Sequence, residues 1–425
     1  MLTISGIEKI QGKISVPGDK SISHRAVMLL SISRGRGEIK GFLPGGDCLG
    51  TIRCFQQLGV AIEDLGTTII VHGKGLRGLR KPTGALDVGN SGTTMRLISG
   101  ILAGQHFTSI ITGDGSIKKR PMDRIAIPLR MMGAVIQGKD GSDLAPLVIQ
   151  GQNLKGIDYT LPVPSAQVKS SVLLAGLYAS GETTVREIIS ARNHTELMLE
   201  SLGAKIKVED GRITVASSEL EARDITVPGD ISSAAFFMAA AAALPGSHLV
   251  IEQVGLNPSR IGIIDVLKAM GAQIELENMV LQGGEIRGDV VVRGKRLHGT
   301  VITREMIPRV VDEIPILAVI AGQAEGITTI SGAEELRIKE SDRISALVTE
   351  LGTLGIRIRE LPDGLEIEGP NRVCGAEVES CGDHRMAMAL AIAGLFSQNP
   401  VKIKGRSCIR VSFPGFEQML KKIAK

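Results

Sequence analysis

The chain has 425 residues and a formal net charge of +4. At ~150 residues per domain, this length suggests two or three domains. With no tryptophan, two tyrosines and eight phenylalanines, the sequence offers few rings for stacking on nucleic acid, and its charge is too mild for a nucleic-acid-binding protein. The longest apolar run, residues 234–244, is shorter than the ~18 residues that a transmembrane helix needs.

The termini and the cysteines indicate the cellular setting. The N-terminal sequence MLTISGIEKIQGK lacks the basic and apolar regions of a signal peptide. The five cysteines are odd in number and include no CxxC pair, so we predict reduced thiols, without a disulfide framework or a zinc site. These features predict a cytoplasmic protein.

One short pattern occurs five times along the chain: Leu or Met, then Gly, a small or branched residue, any residue, and Ile. Its glycines, which lie 68 to 84 residues apart, are Gly59, Gly133, Gly203, Gly271 and Gly355. Each predicts a helix that is closed by a glycine and followed at once by a strand.

A second element occurs between these glycines: a strand that ends in a small polar turn, then a long apolar helix. Its six instances begin at Pro17, Gly89, Pro164, Pro228, Asp312 and Gly382. The repetition predicts six related α/β units, three in each half of the chain. Because the helices are apolar nearly all round, we predict two inside-out α/β domains, with central buried helices and sheets outside.

The twin Pro-Gly-Asp turns, in KISVPGDKSISHRAVMLL and DITVPGDISSAAFFMAA, predict where the chain crosses between the halves. Residues 1–19 and 229–425 are predicted to form one domain. Residues 20–228 are predicted to form an inserted domain, with the active-site cleft between the two.

The first polar turn is PGDKSISHR, residues 17–25. Either Asp19 or Ser21 is a suitable N-cap for the following helix. Free backbone N–H groups at a helix N-terminus, together with Lys20 and Arg25, would also bind an anion. The twin turn at residues 228–233 keeps the cap but lacks the cations. Capping therefore does not require Lys20 or Arg25, which favours the anion site.

Two further turns follow in the same half of the chain. GNSGTTMR, residues 89–96, opens a helix but lacks the GK[ST] of a P-loop, and a packing role for its glycines is an equal alternative. In KKRP, residues 118–121, we predict that Pro121 starts a helix and holds Arg120 beside free N–H groups.

The turn PSAQVKS, residues 164–170, starts another apolar helix with Ser165 as its predicted N-cap. Capping leaves Gln167 and Lys169 unexplained, because both polar side chains fall within an apolar segment.

The last turns add acids as well as cations. Asp312 is predicted to cap the helix of DEIPILAVIAG, and an acid at this place is also where a general base would sit. Lys339 and Arg343 are four residues apart, so we predict that they share a helix face, with Glu340 beside them. A surface network of ion pairs is the alternative.

Taken together, the helix starts carry many cations and few acids that look unpaired. These cations are Lys20, Arg25, Arg120, Lys169, Lys339, Arg343 and Arg385. Such a cleft would suit two multiply charged anions, for example two phosphorylated small molecules. No metal-ligand spacing and no dinucleotide fingerprint is present, so we predict neither a metal nor a cofactor.

These motifs identify a resemblance that covers essentially the whole chain. PGDKSISHR, GNSGTTMR, KRPM, PSAQVKSS, DEIP, ELRIKESDR and GDHRMAMA, in this order, resemble the family of 3-phosphoshikimate 1-carboxyvinyltransferases, also called 5-enolpyruvylshikimate-3-phosphate synthases. The resemblance implies two inside-out domains, each with three-fold pseudo-symmetry. It also implies transfer of the enolpyruvyl group of phosphoenolpyruvate to the 5-hydroxyl of shikimate 3-phosphate, with release of phosphate, in the shikimate pathway of aromatic amino acid biosynthesis.

The resemblance also assigns site residues. Those that match shikimate 3-phosphate ligands are Lys20, Ser21, Arg25, Ser165, Gln167, Asp312 and Lys339. Those that match phosphoenolpyruvate ligands are Lys20, Gly92, Arg120, Gln167, Arg343 and Arg385. Asp312, Glu340 and Lys20 match the proton-transfer groups. Small-molecule substrates are the only partners implied, and most members of the family are monomers.

Three positions depart from the family pattern. Arg410 stands where many relatives carry Lys, so either Arg410 substitutes for it or the phosphoenolpyruvate site has one cation fewer. Ala166 stands where some relatives have a second Ser. The SAQ and RNHTE segments resemble a bacterial subgroup with glyphosate-tolerant members, yet Gly92 is retained where tolerant members often carry Ala.

Two alternatives remain at this point. The related UDP-N-acetylglucosamine enolpyruvyl transferases typically carry a Cys in the loop before the Arg-Pro element, whereas this loop, GDGSIKKRP, has none. A non-catalytic protein that binds anions or RNA would give Glu340 no role, so a Glu340→Gln change would then leave function unchanged.

Overall fold

The computed structural model describes residues 1–425. The chain divides into two compact units. The first unit comprises residues 1–17, 228–281 and 286–425, and the second comprises residues 18–227 and 282–285.

Each unit contains α-helices that alternate with short strands. The helices are α1 (Lys20–Ser31), α2 (Gly46–Gln57), α3 (Gly92–Ala103), α4 (Asp123–Met131), α5 (Ala166–Gly176), α6 (His194–Ser201), α7 (Ile231–Ala243), α8 (Gly262–Ala269), α9 (Ile307–Val310), α10 (Ile314–Ala321), α11 (Arg343–Thr353), α12 (His384–Gly394) and α13 (Phe416–Ile423). The 3-10 turns span Ile117–Lys119, Lys139–Gly141, Glu334–Ile338 and Arg406–Val411.

The strands are β1 (Leu2–Ile4), β2 (Gln11–Ser15), β3 (Arg34–Lys40), β4 (Ala61–Asp64), β5 (Thr68–Lys74), β6 (Leu86–Asp87), β7 (Thr108–Thr112), β8 (Val135–Gln137), β9 (Leu147–Gln150), β10 (Asp158–Thr160), β11 (Glu182–Arg186), β12 (Lys205–Glu209), β13 (Arg212–Ala216), β14 (Ile225–Thr226), β15 (His248–Gly255), β16 (Gln273–Gln282), β17 (Glu285–Arg293), β18 (Val301–Ile302), β19 (Gly326–Ile330), β20 (Arg357–Leu361), β21 (Gly364–Gly369), β22 (Glu377–Glu379) and β23 (Val401–Lys404).

The strands form six small sheets. In the second unit the strand orders are β14-β3-β5-β4, β6-β7-β9-β8 and β10-β11-β13-β12. In the first unit they are β16-β17-β15-β2, β18-β19-β21-β20 and β1-β23-β22. Strand β2 precedes α1 in the chain but pairs in parallel with β15, whereas β14 precedes α7 and pairs in parallel with β3.

The apolar helices lie in the core of each unit. In α7 every residue from Ile231 to Ala242 is buried, and all of α10 is buried. Because a helix that is apolar all round has no face to offer to water, it must be covered on every side. The predicted α/β class, with repeated units around buried helices, is confirmed.

The five repeat glycines lie directly after helices, as predicted. Their φ angles are +88° at Gly59, +102° at Gly133, +87° at Gly203, +92° at Gly271 and +85° at Gly355. A left-handed residue at this position ends a helix and turns the chain toward the next strand, and glycine adopts it without steric cost.

All five cysteines are free thiols in this structure. No helix in the structure is both long and apolar enough to cross a lipid bilayer.

Candidate active site

The predicted site residues divide between the two units. In the second unit they are Lys20, Ser21, Arg25, Gly92, Arg120, Ser165 and Gln167. In the first unit they are Asp312, Lys339, Glu340, Arg343, Arg385 and Arg410. The two groups are described separately.

Lys20 is the first residue of α1. Asp19, rather than Ser21, is the N-cap, and its carboxylate accepts a hydrogen bond of 2.9 Å from the backbone N–H of Ile22. The ammonium of Lys20 forms an ion pair with Asp47 in the first turn of α2, and both side chains are partly open to solvent. Sequence reasoning missed Asp47, whose only signal was an acid at the start of the next helix.

Arg25 lies one and a half turns further along α1 and is only 4% exposed. Its Nε donates to Thr195 (2.7 Å), its Nη2 to Ser170 (2.8 Å) and its Nη1 to the carbonyl of Ser21 (3.0 Å). Burial lowers the pKa of Arg25 to about 10, so the side chain remains charged at neutral pH. The hydroxyls of Thr195 and Ser170 were not predicted to take part in the site.

The glycine-rich turn before α3 brings three predicted residues together. Ser91 caps the helix by accepting from the backbone N–H of Thr94. A Cβ at Gly92 would lie 2.9 Å from Nη1 of Arg96 and 3.5 Å from Nη1 of Arg120. Arg96 in turn donates to the Oε1 of Gln167 at 2.6 Å. A larger residue at this position would therefore make the Arg96 guanidinium shift, whereas it would be in ordinary van der Waals contact with Arg120.

The prediction for Pro121 is wrong. Lys118 and Lys119 belong to a 3-10 turn, and α4 begins only at Asp123, so Arg120 does not lie at a helix start. Arg120 is held instead by its side chain, because Nη2 donates to Asn90 at 2.7 Å. This hydrogen bond holds the Arg120 side chain against the turn before α3, and the sequence did not predict it.

Lys169 does not belong to an open anion site. Ser165 caps α5 as predicted, but Lys169 in the same helix is 0% exposed. Its ammonium lies 2.6 Å from Glu196 and 2.9 Å from Glu187. This buried ion pair connects α5 to α6 and to the segment before it, which explains a cation inside an apolar helix.

In the first unit Arg343 is the centre of a cluster of carboxylates. It is 1% exposed, and it donates to Asp383 through Nε and to Glu340 through Nη2, each at 2.7 Å. Burial by itself would lower the pKa of Arg343, but these carboxylates outweigh that effect and raise it. Burial by itself would raise the pKa of the Asp383 carboxyl, but the neighbouring Arg343 outweighs that effect and lowers it.

Asp312 faces the same cluster. Its carboxylate lies 3.9 Å from Nη1 of Arg343 and 3.6 Å from Nη2 of Arg385. Arg385 also donates to the backbone carbonyl of Asp312 at 3.1 Å. Nη1 of Arg343 is buried and makes no hydrogen bond, and the Asp312 carboxylate faces it at ion-pair distance.

The predicted N-cap role of Asp312 is wrong. Helix α10 begins at Ile314, with Glu313 at the N-cap position and Pro315 in the first turn. Glu313 turns inward and accepts a hydrogen bond from Ser232, which leaves the Asp312 carboxylate facing the two arginines.

Lys339 and Arg343 do not share a helix face as predicted. Lys339 ends a 3-10 turn and pairs with Glu335, whereas Arg343 is the first residue of α11. The break has a local cause, because Asp342 caps α11 by accepting from the backbone N–H of Ser345 at 3.1 Å. The cations Lys20, Lys339, Arg343 and Arg385 each have a carboxylate neighbour, so the acids near these helix starts are paired.

Arg410 lies in the last 3-10 turn, and its side chain is exposed. This turn packs against α12, the helix whose first turn contains Arg385. The structure contains no group of three or more His, Cys, Asp or Glu residues that could hold a metal ion.

Comparison with known proteins gives one consistent answer. The chain matches the family model for EPSP synthase (3-phosphoshikimate 1-carboxyvinyltransferase) over residues 4–420. It is 61% identical, over the full length of both chains, to the 3-phosphoshikimate 1-carboxyvinyltransferase of Alkaliphilus metalliredigens. It is 52% identical to that of Desulforamulus reducens, over 99% of each chain.

A solved EPSP synthase structure from Acinetobacter baumannii superimposes with a TM-score of 0.90 at 45% identity, covering 99% of this chain and 97% of the other. The family predicted from the sequence motifs is thus confirmed, and the chain belongs to the EPSP synthase (3-phosphoshikimate 1-carboxyvinyltransferase) family.

Proposed function

We propose that this protein transfers the enolpyruvyl group of phosphoenolpyruvate to the 5-hydroxyl of shikimate 3-phosphate and releases phosphate. The observation that carries the proposal is the Asp312–Arg343–Glu340 cluster. It places two carboxylates around one buried guanidinium, whose Nη1 faces Asp312 without a hydrogen bond. Two acid–base groups beside an anion site are what this addition and elimination require.

Each substrate takes groups from both units. Shikimate 3-phosphate binds Lys20, Ser21, Arg25, Ser165 and Gln167 of the second unit and Asp312 and Lys339 of the first. Phosphoenolpyruvate binds Lys20, Gly92, Arg120 and Gln167 of the second unit and Arg343 and Arg385 of the first. The two units are proposed as the domains of one enzyme, with boundaries near residues 19 and 229 and a shared active-site cleft.

The proton transfers follow from the bonds that change. Asp312 takes the proton of the attacking hydroxyl as its oxygen bonds to C2 of phosphoenolpyruvate, and Glu340 gives a proton to the methylene carbon. Phosphate then leaves C2 while Glu340 takes a proton back from the neighbouring methyl carbon, and this elimination restores the double bond. Lys20 stabilises the negative charge that develops during addition and elimination.

The ion pair between Glu340 and Arg343 favours the charged carboxylate, which cannot donate a proton. An anionic substrate at Arg343 competes for the same guanidinium and weakens that pair. Binding of phosphoenolpyruvate would therefore prepare Glu340 to act as an acid, which links proton transfer to occupation of the site.

The reaction requires no cofactor in this scheme. We propose a monomeric enzyme of the cytoplasm, whose partners are its two small-molecule substrates rather than nucleic acid or membrane.

The substrate assignment is tested by phosphate release from phosphoenolpyruvate with either shikimate 3-phosphate or UDP-N-acetylglucosamine as the acceptor. We expect release with shikimate 3-phosphate alone. Release with the nucleotide sugar, or with neither acceptor, would contradict the proposal. A glyphosate titration in the same assay measures how strongly glyphosate inhibits an enzyme that has glycine at position 92.

The role of Glu340 is tested by the Glu340→Gln variant. We expect kcat to fall about 100-fold or more, because general acid catalysis contributes typically 10²–10⁴-fold, while KM for both substrates changes little. Glu334→Gln is the control, since Glu334 pairs only with the exposed Arg304 in the same unit. Equal activities of the two variants would remove Glu340 from the mechanism.

A further inference from the structure

Arg25 differs from the other buried cations in what surrounds its charge. Lys169 has two carboxylates within 3 Å, and Arg343 has two at 2.7 Å. Arg260, which is 3% exposed, lies 3.7 Å from Asp230 and 3.9 Å from Glu313. Arg25 has no carboxylate within ion-pair distance, and its nitrogens bind two hydroxyls and one carbonyl. Its direct hydrogen-bond partners are therefore neutral groups, and the carboxylates of Glu196, Asp19 and Glu285 act on its charge only from a distance.

The hydroxyl protons around Arg25 have one consistent order. Ser170 donates its single proton to the carbonyl of Ala166 at 2.6 Å. It can therefore only accept in its 2.6 Å contact with Thr195, so Thr195 donates. The remaining lone pairs accept from Arg25, those of Thr195 from Nε and those of Ser170 from Nη2. Every proton of the two hydroxyls is used, which fixes the plane of the guanidinium.

We propose that Thr195 and Ser170 are positioning residues for acceptor binding. They orient the Arg25 guanidinium without neutralising it, so that its charge is kept for an anionic group of the acceptor substrate. A carboxylate in their place would hold the side chain as firmly but would compete with the substrate. This role rests on the proposed function in one respect, namely that Arg25 binds shikimate 3-phosphate.

The test compares two pairs of variants. Thr195→Val removes the hydroxyl from a side chain that is 1% exposed and keeps its shape, whereas Thr195→Ser keeps the hydroxyl. Ser170→Ala is matched by Ser99→Ala in α3. Ser99 is also buried and donates to the carbonyl of the residue four positions earlier, at 2.7 Å, but it has no contact with Arg25.

We expect Thr195→Val and Ser170→Ala to raise KM for shikimate 3-phosphate about fivefold to tenfold, because a hydrogen bond to a charged group is lost from each. KM for phosphoenolpyruvate and kcat should change less than twofold. Thr195→Ser should restore KM, and Ser99→Ala should lower thermal stability only. Equal KM values in Thr195→Val and the unaltered enzyme, or an equal rise in Ser99→Ala, would overturn the proposal.

A second measurement is independent of turnover. In the unaltered protein the Nε–H of Arg25 is buried and bonded, so its resonance in ¹⁵N NMR should be protected from exchange with water. Thr195→Val should lose that protection and Thr195→Ser should keep it. Protection that persists in Thr195→Val would overturn the positioning role. An absence of turnover with shikimate 3-phosphate in the unaltered enzyme would instead contradict the proposed function.

Discussion

Burial separates two kinds of titratable group in this protein. Lys169 is buried and charged, but its partners Glu187 and Glu196 are buried with it, so it holds α5 in place. His24 is buried beside the chain of hydroxyls Thr51 and Thr94, with Nδ1 2.7 Å from Thr51. A histidine can be buried in its neutral form, without a charged partner. The buried ammonium of Lys169 instead has two carboxylates that balance its charge.

The neutrality of His24 predicts a dependence of stability on pH. Burial lowers its pKa from 6.5 to about 3. The unfolded chain therefore binds the proton first, so the stabilising contribution is complete above pH 6.5 and is lost as the pH falls toward 3. At pH 5 the loss is about 2 kcal/mol by linkage. In His24→Gln the fall in unfolding free energy between pH 7.5 and pH 5, measured in urea, should be smaller by that amount.

His72→Gln is the control for this measurement, because His72 is only half-buried on β5, where its Nε2 lies 2.8 Å from Glu63. We expect it to keep the pH dependence of the unaltered protein. A His24→Gln variant with an unchanged pH dependence would show that the buried imidazole does not contribute to acid destabilisation.

Helix ends determine where the functional groups lie. At the N-termini of α1, α3, α5, α11 and α12 a side-chain oxygen accepts a backbone N–H, and a cation follows within the first two turns of each of these helices. At the C-termini the repeat glycines redirect the chain into strands. A glycine that follows a helix can thus be required by its left-handed backbone conformation, whereas a glycine inside the same helix is not.

Helix α11 provides such a pair. Gly352 lies inside the helix with no atom within 4 Å of an added Cβ, whereas Gly355 follows the helix at φ +85° with Arg372 O at 3.3 Å. Gly352→Ala should stabilise the protein by about 0.5–1 kcal/mol, because alanine loses less chain entropy. Gly355→Ala should destabilise it by about 1–2 kcal/mol, because a Cβ clashes in the left-handed conformation.

Unfolding in guanidinium chloride measures both changes from the shift of the midpoint at constant slope. A loss of stability in Gly352→Ala would contradict the prediction, as would a neutral Gly355→Ala.

Each of the two units has a hydrophobic core of its own. Four of the eight phenylalanines form one cluster in the first unit, where the ring of Phe237 lies 5.8 Å from that of Phe413 and 5.5 Å from that of Phe416. The two clusters of buried apolar residues share no member. Each unit therefore has the contacts that it needs for its own stability.

Phe237→Ala should remove about 3–5 kcal/mol from the first unit. Hydrogen exchange should then accelerate in α7, α10 and α12 and remain unchanged in α1, α3 and α5. Leu29→Ala, at a buried position of α1, should give the reverse pattern. Equal acceleration in all six helices for either variant would show that the protein unfolds as one cooperative unit.

The family, the α/β class, the repeated units and the glycines that end the helices could all be predicted from the sequence alone. These follow from local rules: hydrophobic period, capping chemistry and the backbone freedom of glycine act within a few residues. The sequence also identified Lys20, Gly92, Arg343 and Asp312 as residues of interest, because their motifs are specific even where the predicted local geometry was wrong.

Which charges are paired, and with which partners, depends on the tertiary structure. Asp47 meets Lys20 across 26 intervening positions, Thr195 meets Arg25 across 169, and Asp383 meets Arg343 across 39. No local pattern encodes such distances, because they depend on how helices from different repeats pack side by side. For the same reason the sequence could not show that Lys169 of α5 pairs directly with two carboxylates, whereas Arg25 of α1 has only neutral groups as direct hydrogen-bond partners.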